Sequence, residues 1–226
     1  MLSEILPRRQ ILIFHGVGPL PARPVEAGEA RYWSAEDTLR RAVALAAADP
    51  DIEITFDDGN LSDLRVAAPL LAERGLTARF FVLAGRIGWK EFLSAADIRE
   101  LDRMGMTIGS HGMDHAHWPA LDDAALNREL AGSKAILEGI LGKPVQEAAV
   151  PFGDFDGRTL RASMAAGYRR IYTSSGGLAS RGMRIVPRTS VAGDDFTVLG
   201  AKHRLVSGLR NQARLLKHFV NGYARP

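Results

Sequence analysis

The chain has 226 residues, of which 46% are hydrophobic and 24% charged, a balance that fits one globular domain with a large core. A formal net charge of +3 is too small to argue for nucleic-acid binding, and no basic run interleaved with aromatic residues supports it. The sequence contains no cysteine, which excludes disulfides, thiolate metal sites and cysteine nucleophiles, so histidine and carboxylate side chains would have to hold any metal ion.

Strand-like and helix-like segments alternate along the chain. Strand patterns lie at residues 11–14, 52–56, 77–83, 106–111, 168–175 and 183–191, and residues 147–153 are predicted to be a strand followed by a loop. Helix patterns lie between them at residues 34–48, 62–74, 94–105, 122–141 and 159–166. This alternation predicts parallel βαβ units and an α/β fold class.

Local signals fix several boundaries. Ser34 is the expected N-cap of the first helix, with Asp37 at the capping-box position. The helix at 94–105 has a serine cap and a glycine stop. Residues 16–30, rich in glycine and proline, are expected to form a loop. We interpret residues 1–226 as a single domain, with 195–226 as a basic, helical C-terminal extension.

Polar motifs follow three of the predicted strands. They are Asp-Asp-Gly at 57–59, Ser-His at 110–111 and Val-Pro-Phe-Gly at 150–153. In parallel sheets and barrels, functional residues gather at the carboxyl ends of the strands. We therefore expect these motifs to meet on one face of the molecule.

Two aspartates and one histidine in these motifs, together with His115 just after the second motif, suggest a metal-dependent hydrolase. His111 and His115 are four residues apart, a spacing at which two imidazoles can reach one metal ion. One carboxylate of Asp57 and Asp58 would complete a three-residue site with an open position, and the other would act as the base. The alternatives are an ordinary Asp-Gly turn and two surface histidines.

Two further histidines lie near these motifs. His15 ends the first predicted strand, where it is a candidate acid or base or simply a hydrogen-bonded strand-end residue. His117 is interpreted as structural or solvent-exposed.

The motifs together resemble those of a known family. TFDDG at 55–59, SHGMDH at 110–115 and AVPFG at 149–153 are similar, in order and spacing, to the first three motifs of the polysaccharide deacetylases, the NodB-homology group or carbohydrate esterase family 4. The resemblance covers residues 10–192. It implies a distorted (β/α)7-type barrel and metal-dependent removal of N-acetyl groups from N-acetylglucosamine-type glycans.

Roles follow from the resemblance by position. Asp57 would be the general base, and the metal ligands, most simply for Zn²⁺, would be Asp58, His111 and His115. The backbone N–H of Phe152 would stabilise the oxyanion. Further residues expected to contact substrate are Pro151, Asp154, Trp118 and Arg188. Trp89 and Phe155 are aromatic alternatives for a sugar groove, against a simple packing role.

The sequence departs from the family pattern at two points. The arginine that usually begins the third motif and pairs with the base is Ala149 here, and Arg188 is one candidate replacement. The usual C-terminal histidine motif is missing, because His203 and His218 lie in a basic stretch without that context. Phe-His at the first strand instead resembles family members that act in exopolysaccharide biosynthesis, which makes His15 the expected acid.

The N-terminal sequence and the basic segment near the C-terminus suggest a location and partners. The N-terminus lacks a signal-peptide layout, so the expected location is the cytoplasm and the expected substrate an N-acetylated oligo- or polysaccharide, with a lipid-linked intermediate as one form. The basic segment 202–219 is either a helix packed on the barrel or a contact with the inner membrane or a glycosyltransferase. The alternative functions are a metal-dependent amidase on a non-sugar amide and a non-catalytic glycan-binding protein.

Overall fold

A computed structural model of the protein describes residues 9–195. The predicted helical extension, with the basic segment 202–219 and both His203 and His218, lies outside the described residues. Within the described part, no helix combines the length and the apolar character needed to cross a membrane.

The described strands are β1 Arg9–Phe14, β2 Gly16–Val17, β3 Trp33–Ser34, β4 Ile52–Phe56, β5 Arg79–Val82, β6 Thr107–Ser110, β7 Glu147–Ala149, β8 Arg170–Thr173, β9 Leu178–Ala179, β10 Ile185–Pro187 and β11 Thr189–Ser190. The described α-helices are α1 Glu36–Ala48, α2 Ala68–Ala72, α3 Ala95–Arg103, α4 Asp123–Asn127, α5 Ser133–Leu141 and α6 Gly157–Ala165. The predicted α/β alternation is confirmed, with strand ends shifted by one to three residues at most positions.

The main sheet is almost closed into a barrel. Its strands follow the order β10-β8-β7-β6-β5-β4-β1-β11 with parallel pairing, and β9 pairs antiparallel with β1. β10 pairs with β8, whereas β11 pairs with β1, and only Arg188 separates the two strands in the chain. The strand predicted at 183–191 is therefore two short strands, and the switch between them joins the two ends of the sheet.

Alternation along the strands produces two apolar layers. Leu12 faces the larger cluster, which packs between the strands and the surrounding helices, whereas its neighbour Ile11 belongs to a smaller cluster. Phe81, Ala149 and Tyr172 join Ile11, while the residues on either side of each belong mainly to the larger cluster. The smaller cluster therefore fills the inside of the barrel.

The predicted cap of α1 is wrong. Ser34 lies in β3, where its hydroxyl donates to the Gly193 carbonyl at 2.8 Å, and the N-cap residue is Ala35. The carboxylate of Asp194 accepts from the Ala35 N–H at 3.2 Å and from the Thr38 hydroxyl. A distant residue thus supplies the cap, which no local pattern could indicate.

The caps of α3 behave as predicted. The Ser94 hydroxyl accepts from the Asp97 N–H, the Asp97 carboxylate accepts from the Ser94 N–H, and Gly105 follows the helix in the left-handed region. The helix predicted at 122–141 is confirmed, because residues 123–141 are helical throughout, with a π-helical turn, Arg128–Gly132, between α4 and α5. That turn carries Glu129, which reaches the site described next.

Candidate metal and catalytic site

The polar motifs converge at the carboxyl ends of the barrel strands, as predicted. They line a cleft of about 200 Å³. Its walls include the residues that follow β1, β4, β6 and β7, namely His15, Asp57, Asp58, His111, His115 and Phe152. The cleft is smaller than the roughly 300–1,000 Å³ usual for ligand pockets, so it fits a small group rather than a long chain segment.

Asp58, His111 and His115 form a compact set of candidate metal ligands. One Oδ of Asp58 lies 3.5 Å from Nε2 of His111 and 3.7 Å from Nε2 of His115. That oxygen is buried and has no hydrogen-bond partner among the described residues, although an orphaned buried carboxylate oxygen is costly. Two imidazoles and one carboxylate pointing at a common space are a donor set suited to zinc or a similar divalent ion. The residues present therefore fit a metal.

Both histidine rings are oriented through Nδ1. His111 Nδ1 lies 3.0 Å from the carbonyl oxygen of Ala149, and His115 Nδ1 lies 2.9 Å from a carboxylate oxygen of Glu26. Because a carbonyl can only accept, the proton of His111 lies on Nδ1 and Nε2 is left as a ligand. Burial lowers the pKa of His111 to about 4, despite the nearby carboxylates, so this ring is neutral at physiological pH.

The two histidines lie in a loop rather than on one face of a helix. The loop comprises residues 111–117, and Glu129 stabilises it through hydrogen bonds to its backbone. The buried Glu129 carboxylate accepts from the N–H of Met113 at 2.8 Å and from the N–H of Asp114 at 3.0 Å. Gly112 has φ +87°, and a Cβ at this position would collide with that carboxylate. The loop therefore needs glycine here.

Asp57 lies beside the set of candidate metal ligands, with one oxygen 3.9 Å from Nε2 of His111, and is paired with Arg188. Two guanidinium nitrogens of Arg188 donate to the two Asp57 oxygens at 2.7 and 2.8 Å, and one also donates to the Thr55 hydroxyl at 3.0 Å. Burial raises the pKa of Asp57, but the charges of Arg188 and His111 and the hydrogen bonds from Arg188 outweigh it and bring the pKa to about 2. Asp57 is therefore a fixed, ionised carboxylate.

Arg188 was expected as a substrate contact or as the partner of Asp57, and only the second position agrees with the structure. Its side chain is 0% exposed inside the barrel, near the rings of Phe81 and Tyr172. The expectation that it binds substrate is wrong because substrate cannot reach it. Ala149, where the family arginine would stand, faces the same interior cluster.

Backbone strain is concentrated at the cleft. Four non-glycine residues in the described part of the chain have positive φ, and three of them are Asp58 (78°), His115 (59°) and Phe152 (58°). Such conformations cost of order 1–3 kcal/mol each and persist where the surroundings determine them. The backbone is therefore distorted where it places two ligands and the expected oxyanion donor.

His15 lines the cleft, where its ring stacks at a tilt on Tyr32 with centroids 5.0 Å apart. Its Nδ1 is buried and has no hydrogen-bond partner among the residues described. The backbone carbonyl of His15 accepts from the Asn60 side chain at 3.0 Å, which fixes the main chain. The alternative interpretation, that the ring of His15 is simply a hydrogen-bonded group at the end of a strand, does not agree with this Nδ1 atom.

The third-motif loop places Phe152 at the mouth of the cleft. Its ring is 53% exposed, stacks on His117 at 4.1 Å and lies 4.3 Å from the ring of His115. His117 itself is on the rim, as expected, near the exposed carboxylate of Asp154 at 3.6 Å. Pro151 is buried beneath this turn, so its contribution is to the loop shape. Asp154 remains accessible.

Of the aromatic residues proposed for a sugar groove, two are buried and one is exposed. Trp118 is 1% exposed and belongs to the core, so its predicted contact with substrate is wrong. Phe155 is buried in the same cluster. Trp89 is 63% exposed and lines a second, larger cavity of about 660 Å³. Glu26 lines both this cavity and the cleft. Asp156 caps α6 by accepting from the Thr159 N–H at 2.7 Å.

Sequence reasoning missed several residues of the site. They are Glu26, Glu129, Tyr32, Ser174 and Ser190. Glu26 and Tyr32 lie between β2 and β3, in or next to the segment predicted only as a loop. No local pattern marks them, because their positions depend on how that segment folds over the cleft.

A third carboxyl group, that of Asp63, is buried near the site. Asp63 is fully buried, and neither oxygen has a hydrogen-bond partner in the described part of the chain. Burial, with the charges of Asp58 and Asp57, raises its pKa well above the ordinary 3.8. The buried position of Asp63 beside two other carboxylates therefore disfavours its charged form.

Known proteins share both the motifs and the fold. The sequence model described as polysaccharide deacetylase matches residues 45–171, more than half of the chain. A Bacillus subtilis protein, YxkH, whose own assignment as a polysaccharide deacetylase is provisional, is 31% identical over 141 residues, covering 62% of this chain and 50% of its own. A chitooligosaccharide deacetylase of Rhizobium leguminosarum bv. trifolii is 28% identical over 127 residues, 56% of this chain and 57% of its own. The chain thus spans about half the length of these curated relatives.

A solved structure matches almost the whole described barrel. The Streptococcus pyogenes deacetylase PplD, solved in complex with acetate, superposes with a TM-score of 0.73 at 18% identity, covering 89% of this chain and 99% of that one. The predicted (β/α)7-type barrel is confirmed by this likeness of fold.

Proposed function

The chain belongs to the polysaccharide deacetylase family, and on that premise we propose that it is a metal-dependent N-deacetylase acting on N-acetylglucosamine-type residues of a glycan. One observation carries the proposal: Asp58, His111 and His115 face one another, while Asp57 stands beside them as a separate carboxylate on Arg188. A protein that only bound glycans would need no such free carboxylate.

Each residue then has a distinct task. A divalent ion held by Asp58, His111 and His115, for which Zn²⁺ suits the donors, would supply Lewis-acid polarisation of the acetyl carbonyl. Asp57 accepts a proton from the water that attacks this carbonyl. The Phe152 N–H donates to the developing oxyanion. His15 delivers a proton to the amine nitrogen as the C–N bond breaks.

The surroundings of the cleft favour a sugar chain as substrate. The cleft itself suits the acetamido group and the sugar unit that bears it, and the second cavity next to Glu26 offers room for adjoining units. Trp89 presents an exposed indole face there, with Lys90 and Arg86 as nearby hydrogen-bond donors. The family name and the chitooligosaccharide activity of the Rhizobium relative agree with this substrate class.

The biological setting is proposed from His15. An acid on the first strand resembles the exopolysaccharide-biosynthesis members of the family, so we place the substrate among the oligo- or polysaccharides made in that process, in free or lipid-linked form. Work in the cytoplasm, and contact of residues 202–219 with the inner membrane or a glycosyltransferase, stay predictions.

Acetate release tests the function. We expect the zinc-loaded protein to release acetate from N-acetylglucosamine oligomers, to stop after chelation and to recover when zinc is restored. Substrates of two to six units should show lower KM than the monosaccharide if the second cavity binds adjoining units. Release only from non-sugar acetamides would instead support an amidase. No release from any substrate by metal-loaded protein would contradict a deacetylase function.

His15 is tested by the dependence on the leaving group. The His15→Ala variant should lose about 10²–10⁴-fold in kcat on an acetylated glucosamine oligomer, because an amine leaves only when protonated. The same variant should hydrolyse an aryl acetate ester at nearly the wild-type rate, since a phenolate needs no acid. Its zinc content, measured by atomic emission, should be unchanged. Near wild-type turnover of the oligomer would show that His15 is not the acid.

A further inference from the structure

Glu26, in the loop between β2 and β3, contacts one of the expected metal ligands. Its Oε2 lies 2.9 Å from Nδ1 of His115, a residue 89 positions later in the chain. We propose that Glu26 is a positioning residue that fixes the tautomer and ring orientation of His115, and through them the affinity of the site for zinc. The inference rests on the proposed function, because it assumes that His115 is a metal ligand.

The Glu26 carboxylate is itself held in place. Its other oxygen, Oε1, accepts from a guanidinium nitrogen of Arg86, which comes from the loop after β5. Its backbone N–H donates to Glu29 at 2.7 Å, and Glu29 pairs with Arg23. The two oxygens thus have separate partners, one a fixed cation and the other the imidazole. A carboxylate tied in this way can hold a ring even though it is half-exposed.

Besides Glu26, the described contacts of the His115 ring include the rings of Phe152, which is itself exposed, and of His111, whose centroid is 5.3 Å away. Neither of these ring contacts selects which nitrogen carries the proton, and the backbone of His115 lies at a strained φ of 59° in a loop. With Nδ1 directed to Glu26, the Nε2 atom faces the Asp58 oxygen 3.7 Å away. An Nδ1–H donated to Glu26 leaves the Nε2 lone pair free for the ion, and a carboxylate acceptor also raises the basicity of that nitrogen.

The two histidines are oriented by different kinds of group. Nδ1 of His111 meets the backbone carbonyl of Ala149 in β7, which belongs to the rigid sheet. Nδ1 of His115 meets a side chain from a connecting loop that also covers the cleft. The geometry of His111 is therefore fixed by the fold itself, whereas that of His115 depends on Glu26 being in place. Zinc affinity should respond to this single side chain.

The test compares zinc binding by the full chain and its Glu26→Ala and Glu26→Gln variants. Competition with a chromophoric chelator should show zinc affinity reduced by roughly 10–100-fold in Glu26→Ala, the range usual for groups that orient a ligand. Glu26→Gln has nearly the same shape and keeps an acceptor oxygen, so a smaller loss is expected. Glu36→Gln, on the exposed face of α1 where Glu36 pairs with Arg40, is the control and should bind as the wild type does.

Tautomer measurement separates orientation from general damage. Long-range ¹H–¹⁵N spectra of the metal-free protein should show His115 with its proton on Nδ1 in the wild type and as a mixture in Glu26→Ala. Unchanged zinc affinity, or an unchanged His115 tautomer, in Glu26→Ala would overturn the inference. Neither readout requires turnover. A protein that deacetylates nothing, yet loses zinc affinity in this variant, would overturn the proposed function and leave the inference standing.

Discussion

The Asp57→Asn variant is expected to keep its zinc and lose about 10²–10⁴-fold in kcat, the usual contribution of a general base. Both oxygens of Asp57 accept hydrogen bonds from Arg188, and one of them lies 3.9 Å from Nε2 of His111, whereas the buried oxygen of Asp58 faces both histidines. An amide at position 57 cannot accept the proton of the attacking water. It should leave the ligands Asp58, His111 and His115 in place.

Kinetics and metal content must be measured together for this variant. Acetate release from an N-acetylglucosamine oligomer gives kcat and KM, and chelator competition gives the zinc affinity. Asp58→Asn is the matched comparison, because the same chemical change one residue later should lower the zinc affinity itself. Loss of zinc from Asp57→Asn with affinity retained by Asp58→Asn would reverse the two roles. Retention of near wild-type kcat by Asp57→Asn would remove Asp57 as the base.

The face that carries the site was predictable from the sequence because it follows from topology. Strand patterns and the polar residues after them are local, and parallel pairing brings the carboxyl ends of the strands together. Asp57, Asp58, His111 and His15 accordingly all line one cleft. The family resemblance added roles to residues that the topology had already grouped.

The groups that support these residues could not be predicted in the same way. Glu26 reaches His115 from a glycine- and proline-rich connection, and Asp194 caps a helix that starts near residue 36. Both contacts join distant parts of the chain through side chains, which leave no periodic signal. The prediction for Trp118 was wrong for a related reason: its aromatic ring suggested a contact with a sugar, but tertiary packing buries it in the core.

Arg188 and Ala149 show how the sequence departs from the family without losing the ion pair. Both positions face the barrel interior, Ala149 from β7 and Arg188 from the junction of β10 and β11. The small side chain of Ala149 belongs to the apolar cluster inside the barrel. The guanidinium of Arg188 reaches Asp57 from the junction between the two end strands of the sheet. The same position that joins the sheet ends therefore also holds the expected base.

The Arg188→Met variant is accordingly expected to lose about 3–5 kcal/mol in free energy of unfolding at pH 7, since it leaves a buried carboxylate without its partner. Urea denaturation measures this loss. Arg170→Met is the control, because Arg170 is half-exposed and its partner Glu147 keeps an ion pair with Arg79, and it should cost about 1 kcal/mol or less. A loss for Arg188→Met no larger than that of the control would show that the buried pair adds nothing to stability.

The stability difference between wild type and Arg188→Met should depend on pH in a definite direction. The pKa of Asp57 is lowered from 3.8 to about 2, so in the wild type its ionisation adds stability that is complete above pH 3.8 and disappears as the pH falls to about 2. Without Arg188, burial dominates and the pKa rises above 3.8, so protonation of Asp57 at acid pH should now favour the folded state. The stability deficit of Arg188→Met relative to wild type should therefore shrink as the pH is lowered.

The acid limb of the kcat/KM profile of Arg188→Met should also move to higher pH, because Asp57 must be ionised to act as a base. An acid limb unchanged from wild type would mean that the guanidinium does not set the ionisation of Asp57.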